Sequence, residues 1–278
     1  MEEINVRKAL IGYQVYSARE DAERDLPATL KAIKAMGYDG VEFAGFYHYT
    51  VDEVKKALED AGIQAISAHV PLAQIEQDMF KTISDYKAIG CKYIAVPYTD
   101  DRCRPGGPDF AKTLQSIYKF GRLCREAGIQ LLYHNHDFEF VSISGMYGLD
   151  FIYAAVDEDT LKTEIDTCWV KYAGVNPADY VRKYAGRAPI VHLKDYVGVK
   201  GGKTPYALIG MADTSADPSE IAFEFRPVGY GCQDVKAVAE AGLDAGAEWF
   251  IVEQDLSVGR PALEAARMSI DYLKSIGM

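Results

Sequence analysis

The chain has 278 residues, of which 49% are hydrophobic and 26% charged, and its formal net charge is −11. That length supports one large core, and an acid excess of this size repels phosphate backbones, which disfavours nucleic acid, and no nucleic-acid partner is expected. No apolar run approaches the roughly 18 residues that span a bilayer, and Met1-Glu2-Glu3-Ile4-Asn5 lacks the basic-then-apolar pattern of a secretory signal, so no membrane partner and a cytoplasmic location are expected.

In chain order, short apolar runs alternate with amphipathic stretches. Ala9 to Val15 reads as a strand. Asp25 to Met36 reads as a helix, with Leu26, Leu30, Ile33 and Met36 at helical spacing and Gly37 as its stop. Gly40 to Phe43 is a second strand with Glu42 inside it. Val51 to Ala61 is a helix closed by Gly62, and Ile63 to Ala68 a strand ending at His69. A helix from Gln74 to Ile89 precedes the strand Tyr93 to Val96. A helix from Asp109 to Ala127 precedes the strand Ile129 to Tyr133, and a loop and helix follow from Gly145 to Val156. Leu161 to Ile165 is a strand ending at Asp166. Pro177 to Tyr184 is a short helix capped by Asn176. Pro189 to Val191 continues into His192-Leu193-Lys194-Asp195, a polar loop covers Val197 to Tyr230, and a helix covers Asp234 to Ala245. Trp249 to Val252 ends at Glu253, and Arg260 to Ile276 is the last helix.

Eight strand signals, each followed by a helical stretch, predict a (β/α)8 TIM barrel, an α/β fold in a single domain over 1–278. An open doubly wound sheet is the rival, weakened because no G-x-G-x-x-G follows the first strand. The five cysteines are odd in number and without C-x-x-C spacing, which predicts reduced thiols rather than disulfides or structural zinc.

Active sites of such barrels lie at the C-terminal strand ends. Polar residues fall there repeatedly in this chain: Gln14, Glu42, His69, His134 to Glu139, Asp166, His192 to Asp195, and Glu253. Each has a plain structural alternative, a capped loop or a satisfied buried pair, so the case lies in their convergence. Glu139, Asp166, His192 and Glu253 follow the fifth to eighth strands, which are neighbours around one side of the mouth. Three carboxylates and one imidazole form an oxygen-rich site for one divalent metal ion, Mn²⁺ first, with Mg²⁺, Co²⁺ or Zn²⁺ as alternatives. A purely structural network would have to neutralise three acids without nearby arginines, which is unfavourable. Glu164 shares the strand parity of Asp166 one layer deeper and is expected to be structural.

These residues resemble a known family. Gly37 to Glu42, His134 to Phe140, Glu164 to Trp169, Val191 to Asp195 and Val252 to Asp255 together look like the sugar phosphate isomerase/epimerase superfamily, the xylose isomerase-like TIM barrels, which include ketose 3-epimerases and inosose dehydratase. The resemblance implies a metal held by Glu, Asp, His and Glu from successive strands. Carried over, these are Asp166, His192 and Glu253, with Glu139 as the first ligand and Asp137 and His136 as competitors. The family's own position for that ligand holds His134 here. The chain also departs from epimerases where Trp169 replaces a His three residues after Asp166 and where Lys194 stands in place of an Arg after His192. Endonuclease IV, of the same superfamily, needs more histidines than this chain carries.

The expected chemistry is proton abstraction beside a carbonyl, with the metal stabilising an enediolate and a Glu as acid/base. Glu253 and Glu139 are the candidate bases, and Lys194 and His69 would orient or protonate a substrate oxygen. Gln14, Glu42, His134, His136, Trp169 and Lys194 are the expected substrate contacts. The predicted function is a metal-dependent isomerase or epimerase acting on a ketose or keto-sugar, the partner being a small-molecule sugar or polyol ketone. The alternatives are an inosose-dehydratase-like lyase and a non-catalytic sugar-binding barrel. A homo-oligomer is compatible with all of these. A phosphorylated substrate finds weak support, only in Lys200-Gly201-Gly202-Lys203. Tyr13, Tyr16, Phe43, Phe46, Trp169 and Tyr196 near strand ends suggest a sugar-stacking wall.

Overall fold

The structure is a computed structural model that describes residues 10–200, 205–209 and 222–278. Eight parallel strands form one sheet: β1 Leu10–Gln14, β2 Gly40–Phe43, β3 Gln64–Ala68, β4 Tyr93–Val96, β5 Gln130–His134, β6 Leu161–Asp166, β7 Ile190–Leu193 and β8 Trp249–Val252. Their hydrogen-bonded order is β3-β2-β1-β8-β7-β6-β5-β4. The two end strands meet through the bridge His69–Ala95, where Val70 N donates to Ala95 O at 3.0 Å, and through Lys92 N donating to Ile66 O at 3.0 Å. The ring is therefore nearly closed, and its weakest seam lies between β3 and β4. The expected (β/α)8 barrel is the fold observed.

Period-two alternation divides each strand between two cores. One face packs against the surrounding helices in the main core, which includes Ile11, Val41, Phe43, Ile94, Leu131, Ile165, Val191 and Phe250. The other face points inward. Ile66, Tyr93, Ala95, Leu132, Ile190, Trp249 and Ile251 form a separate apolar plug inside the barrel. Gly12 and Gly40 make room for it, because a Cβ on either would come within 2.5–2.7 Å of the Ile66 side chain. Above this plug the inward positions turn polar, and that layer carries the candidate site.

Helix boundaries follow local chemistry. Thr50 and Glu53 form a reciprocal capping box on the helix Val51–Ala61, and Gly62 ends it at φ 63°. The first helix spans Arg19–Met36 but breaks at Asp25, whose carboxylate accepts from Ala28 N at 2.9 Å. The sequence placed a helix start at that residue. The single helix expected over Gln74 to Ile89 is two, Leu72–Gln77 and Met79–Ala88. Asp78 separates them with an extended backbone and caps the second through Lys81 N at 2.9 Å.

Three elements were not expected. The helix Thr167–Tyr172 starts directly at the end of β6. Ser142–Ile143 pairs with Met146–Tyr147 in a small hairpin. Within the stretch read as a polar loop, Asp195–Gly198 pairs antiparallel with Phe223–Arg226. The alternation Phe223-Glu224-Phe225 was the signal for that last strand: Phe223 and Phe225 turn onto Trp169, Tyr172 and Tyr196 in a second aromatic core. All five thiols are free, as expected.

Candidate metal centre and active site

Four side chains converge where β5, β6, β7 and β8 end. His134, Asp166, His192 and Glu253 each offer a donor atom, and these atoms all lie within 4.8 Å of one another in a buried cluster. Asp166 closes β6 and caps the helix that follows. Its Oδ1 accepts from Cys168 N at 2.8 Å and Trp169 N at 3.2 Å, which leaves Oδ2 buried without an aligned hydrogen bond. That oxygen lies 3.6 Å from His134 Nε2 and 3.3 Å from Lys194 Nζ. Glu253, just past β8, lies 3.0 Å from His192 Nδ1 through its Oε2. Two donors bound about 2.0–2.2 Å from one ion stand roughly 3–3.6 Å apart, so these separations fit a single divalent cation. The buried Asp166 oxygen, left without an aligned hydrogen bond, is the observation that favours one.

A second tier of acids lies one residue pair deeper. Glu164 Oε1 is 3.1 Å from His134 Nδ1 and 3.2 Å from His192 Nε2, and Glu42 Oε1 is 2.9 Å from His192 Nε2. Each ligand-candidate imidazole thus turns one nitrogen toward the centre and the other toward a buried carboxylate, the arrangement that sets tautomer and ring direction at metal sites. His69 joins the two acids, its Nε2 at 2.5 Å from Glu164 and 3.0 Å from Glu42. Gln14 donates to Glu42 at 2.7 Å, and Ser67 Oγ donates to its other oxygen. His69, His134, Glu164 and His192 also cluster within 4.8 Å. A 2.5 Å separation is too short for two ligands of one ion, however, so this deeper set is a hydrogen-bonded support.

Lys194 supplies positive charge from the side. Its Nζ is 2.6 Å from Asp255, 2.9 Å from Glu253 and 3.3 Å from Asp166. Burial works against its charge, but the carboxylates of Asp255, Glu253 and Asp166 outweigh that and hold the ammonium well above the usual lysine range. Burial would raise the Glu253 carboxyl, yet Lys194 and His192 hold it below the usual carboxylate range. Burial pushes Asp255 up to about 6 despite its contact with Lys194. Burial and the neighbouring His69 and His192 hold His134 well below the ordinary imidazole value, whereas at His192 the carboxylates of Glu42 and Glu164 outweigh burial and hold the ring well above it.

The expected ligand set differs at Glu139, which lies outside both clusters. Tyr133 Oη donates to its Oε1 at 2.8 Å and His136 N to its Oε2 at 2.8 Å. The chain leaves extended conformation after His134 and forms a short turn over Phe138–Phe140, so strand alternation no longer aims Glu139 at the centre. His134, the last residue of β5, stands in the cluster instead.

A cavity of about 710 Å³ opens onto the cluster and is lined by His69, His134, His136, Lys194, Glu253 and Asp255 among others. Of the expected substrate contacts, His134, His136 and Lys194 line it. Gln14, Glu42 and Trp169 do not: the first two belong to the buried support, and Trp169 lies wholly buried behind His136, stacked on Phe223 at 5.9 Å. Of the proposed aromatic wall only Tyr16 lines the cavity; Tyr13, Phe43 and Tyr196 are core residues and Phe46 packs against the core. Tyr98 and Asp255 line it and were missed, because loop residues beyond a strand end carry no periodic signal. Lys200 Nζ lies 3.2 Å from Asp137, while 201–203, the rest of the weak anion loop, lie outside the described residues. No helix among the described residues is long and apolar enough to cross a membrane.

Comparison with known proteins agrees with this architecture. The family model described as xylose isomerase-like TIM barrel matches residues 30–276. An inosose dehydratase of Clostridium botulinum is 24% identical over 279 residues, covering 91% of this chain and 90% of that protein. The crystal structure of a sugar phosphate isomerase/epimerase from Parabacteroides distasonis superposes with a TM-score of 0.75 at 19% identity, covering 99% of this chain and 96% of the other. The IOLI protein, whose structure holds a zinc atom, superposes with a TM-score of 0.70 at 14% identity, covering 96% and 97% of the two chains. The chain belongs to the xylose isomerase-like TIM barrel family.

Proposed function

We propose that this protein is a divalent-metal-dependent enzyme that isomerises or epimerises a keto-sugar. The reading rests on one observation: His134, Asp166, His192 and Glu253 meet around a buried carboxylate oxygen that has no aligned hydrogen bond, beside a 710 Å³ cavity. These four residues would hold the ion. Two imidazoles and two carboxylates, in place of the one imidazole and three carboxylates first expected, shift the preference away from Mg²⁺ and toward Mn²⁺, Co²⁺ or Zn²⁺. The ion, when bound, polarises the substrate carbonyl and acidifies the adjacent C–H. Glu253 sits at the cavity wall as the acid/base that takes and returns the proton. Lys194, 2.9 Å from Glu253, steadies that carboxylate and can donate to a substrate oxygen. His136, which lines the cavity beside His134, orients the sugar, and His69 steadies the cluster from below through Glu42 and Glu164. Glu139 is withdrawn from the proton transfer, because both its oxygens are engaged away from the cluster.

The test is metal content followed by turnover. Protein purified without chelator should carry a divalent ion, and a screen of ketoses and keto-inositols should reveal a substrate. Glu253→Gln should then lower kcat by roughly 10²–10⁴-fold while sugar binding remains measurable. Metal-free protein that gains no thermal stability from Mn²⁺, Co²⁺ or Zn²⁺ would sink the proposal.

A second reading, loss of water from a keto-inositol, is favoured by Lys194. An ammonium beside the proposed base can protonate a departing hydroxyl. The names of the relatives point the same way. Mass spectrometry separates the two, since dehydration leaves a product lighter by one water and isomerisation does not.

A further inference from the structure

The cavity extends well beyond the metal cluster. Away from His134, His136, Lys194, Glu253 and Asp255, its lining comes mostly from the segments after β2, β3 and β4 and from the start of the helix Phe110–Glu126, with Tyr16 after β1. At about 15 Å³ per bonded heavy atom, half a liquid water's share, a twelve-atom hexose fills about 180 Å³. That is roughly a quarter of the 710 Å³ present. A single sugar ring at the metal cluster would leave most of the cavity to water.

The unfilled arm has a definite chemistry. Pro71, Leu72, Ala73 and Pro97 offer apolar surface, and Gln74, Glu76, Asp100 and Asp109 offer hydrogen-bond acceptors. Lys112, the cation of this arm among the described residues, is already 3.1 Å from Asp109. Arg102 also holds Asp109, at 2.7 Å, which leaves Glu76 and Asp100 as the lining carboxylates of this arm with no ion pair among the described residues, and these disfavour a phosphate or carboxylate ligand. Between the arm and the metal cluster stands Tyr98, a half-buried ring held edge-on to His136 at 5.2 Å and to Phe138 at 5.4 Å, with the Arg104 guanidinium 5.1 Å from its centroid. A fixed aromatic face flanked by acceptors suits a ring that is apolar on its C–H face and hydroxylated at its rim.

We propose that the substrate is a keto-sugar carrying a second, neutral glycosyl group, with the keto ring at His134 and Glu253 and the second ring in the arm formed by the β3 and β4 loops. This rests on the reading of the site given above and adds the substrate class. Binding energy from the second ring is available to orient the reacting one, so a truncated substrate should lose turnover as well as affinity.

The experiment uses the metal-loaded protein with three substrates sharing one keto ring: the free keto-hexose, its methyl glycoside and a keto-disaccharide. The expected result is a kcat/KM that rises in that order, by roughly tenfold or more from first to last. Ala73→Trp, which fills the arm from its exposed helix, should cut the disaccharide-to-hexose ratio of kcat/KM by a similar factor. A kcat/KM equal for the three substrates, or a ratio insensitive to Ala73→Trp, overturns the glycosyl arm and leaves the site reading standing. Failure to bind or convert any of the three by metal-loaded protein overturns both.

Discussion

His134 Nδ1 lies 3.1 Å from Glu164 Oε1, and this contact directs the other ring nitrogen toward Asp166 Oδ2, 3.6 Å away. A residue read as merely structural from its depth in the barrel thereby aims a residue of the proposed metal site. Supporting carboxylates of this kind typically carry 10–100-fold in metal affinity. Glu164→Gln should therefore weaken Mn²⁺ or Zn²⁺ binding by a factor in about that range. Metal titration followed by calorimetry measures it, and wild-type affinity in the variant would remove Glu164 from this role.

Bound metal should stabilise the fold by mass action. At a free metal concentration 100 times the Kd the gain is about 2.7 kcal/mol. Differential scanning calorimetry with and without metal reads this directly. Asp166→Asn should abolish most of the gain, because it replaces the one cluster oxygen that is buried without an aligned hydrogen bond. A chelator should reverse the gain in the wild type.

Lys194 lies against the same carboxylates that a bound metal would compensate. Removing the ammonium leaves Asp166, Glu253 and Asp255 buried together, and breaking a buried ion pair from one side costs about 3–5 kcal/mol. Lys194→Met should be destabilised by about that amount without metal and should regain part of it when metal is added. The rise in Tm on metal addition is thus expected to be larger in the variant than in the wild type. An equal rise would mean that the two cations act independently.

Glu139 should give the native protein a specific pH dependence. Burial pushes its carboxyl up to about 8, although Tyr133 and the His136 amide favour the ionised form. In the unfolded chain the same group titrates near 4.3. Between those values the native state holds a proton that the unfolded state has lost. This contribution to stability is therefore full below about pH 4 and declines as pH rises to about 8, with a slope approaching −1.4 kcal/mol per pH unit. Glu139→Gln removes the titration; its amide oxygen can still accept from His136 N, and its NH2 can donate to Tyr133 Oη with that bond reversed. The variant should gain on the wild type with each pH unit across that window in urea denaturation, and its metal affinity should be unchanged. Loss of metal binding in Glu139→Gln would restore Glu139 to the ligand set.

Much of the barrel was legible because local chemistry and tertiary structure agree. Gly37 and Gly62 end helices with φ values of 103° and 63° that other residues rarely adopt, and Tyr93–Val96 and Trp249–Val252 occupy the expected strands. The elements that escaped depend on distant partners. The hairpin joining Asp195–Gly198 to Phe223–Arg226 closes over 24 intervening residues, and its side chains pay for that closure on Trp169 and Tyr172. Neither partner is visible from the strand itself.

The amino-acid sequence by itself determined that Asp166, His192 and Glu253 stand at neighbouring strand ends, because period-two alternation persists while the backbone is extended. It also placed Glu164 one layer below Asp166 for the same reason. Which side chain of the stretch His134 to Glu139 faces the cluster is set by tertiary structure alone. Once the chain turns after β5, spacing no longer predicts direction. Glu139 folds back to Tyr133 Oη and the His136 amide, and His134, fixed by Glu164 on the adjacent strand, faces the centre.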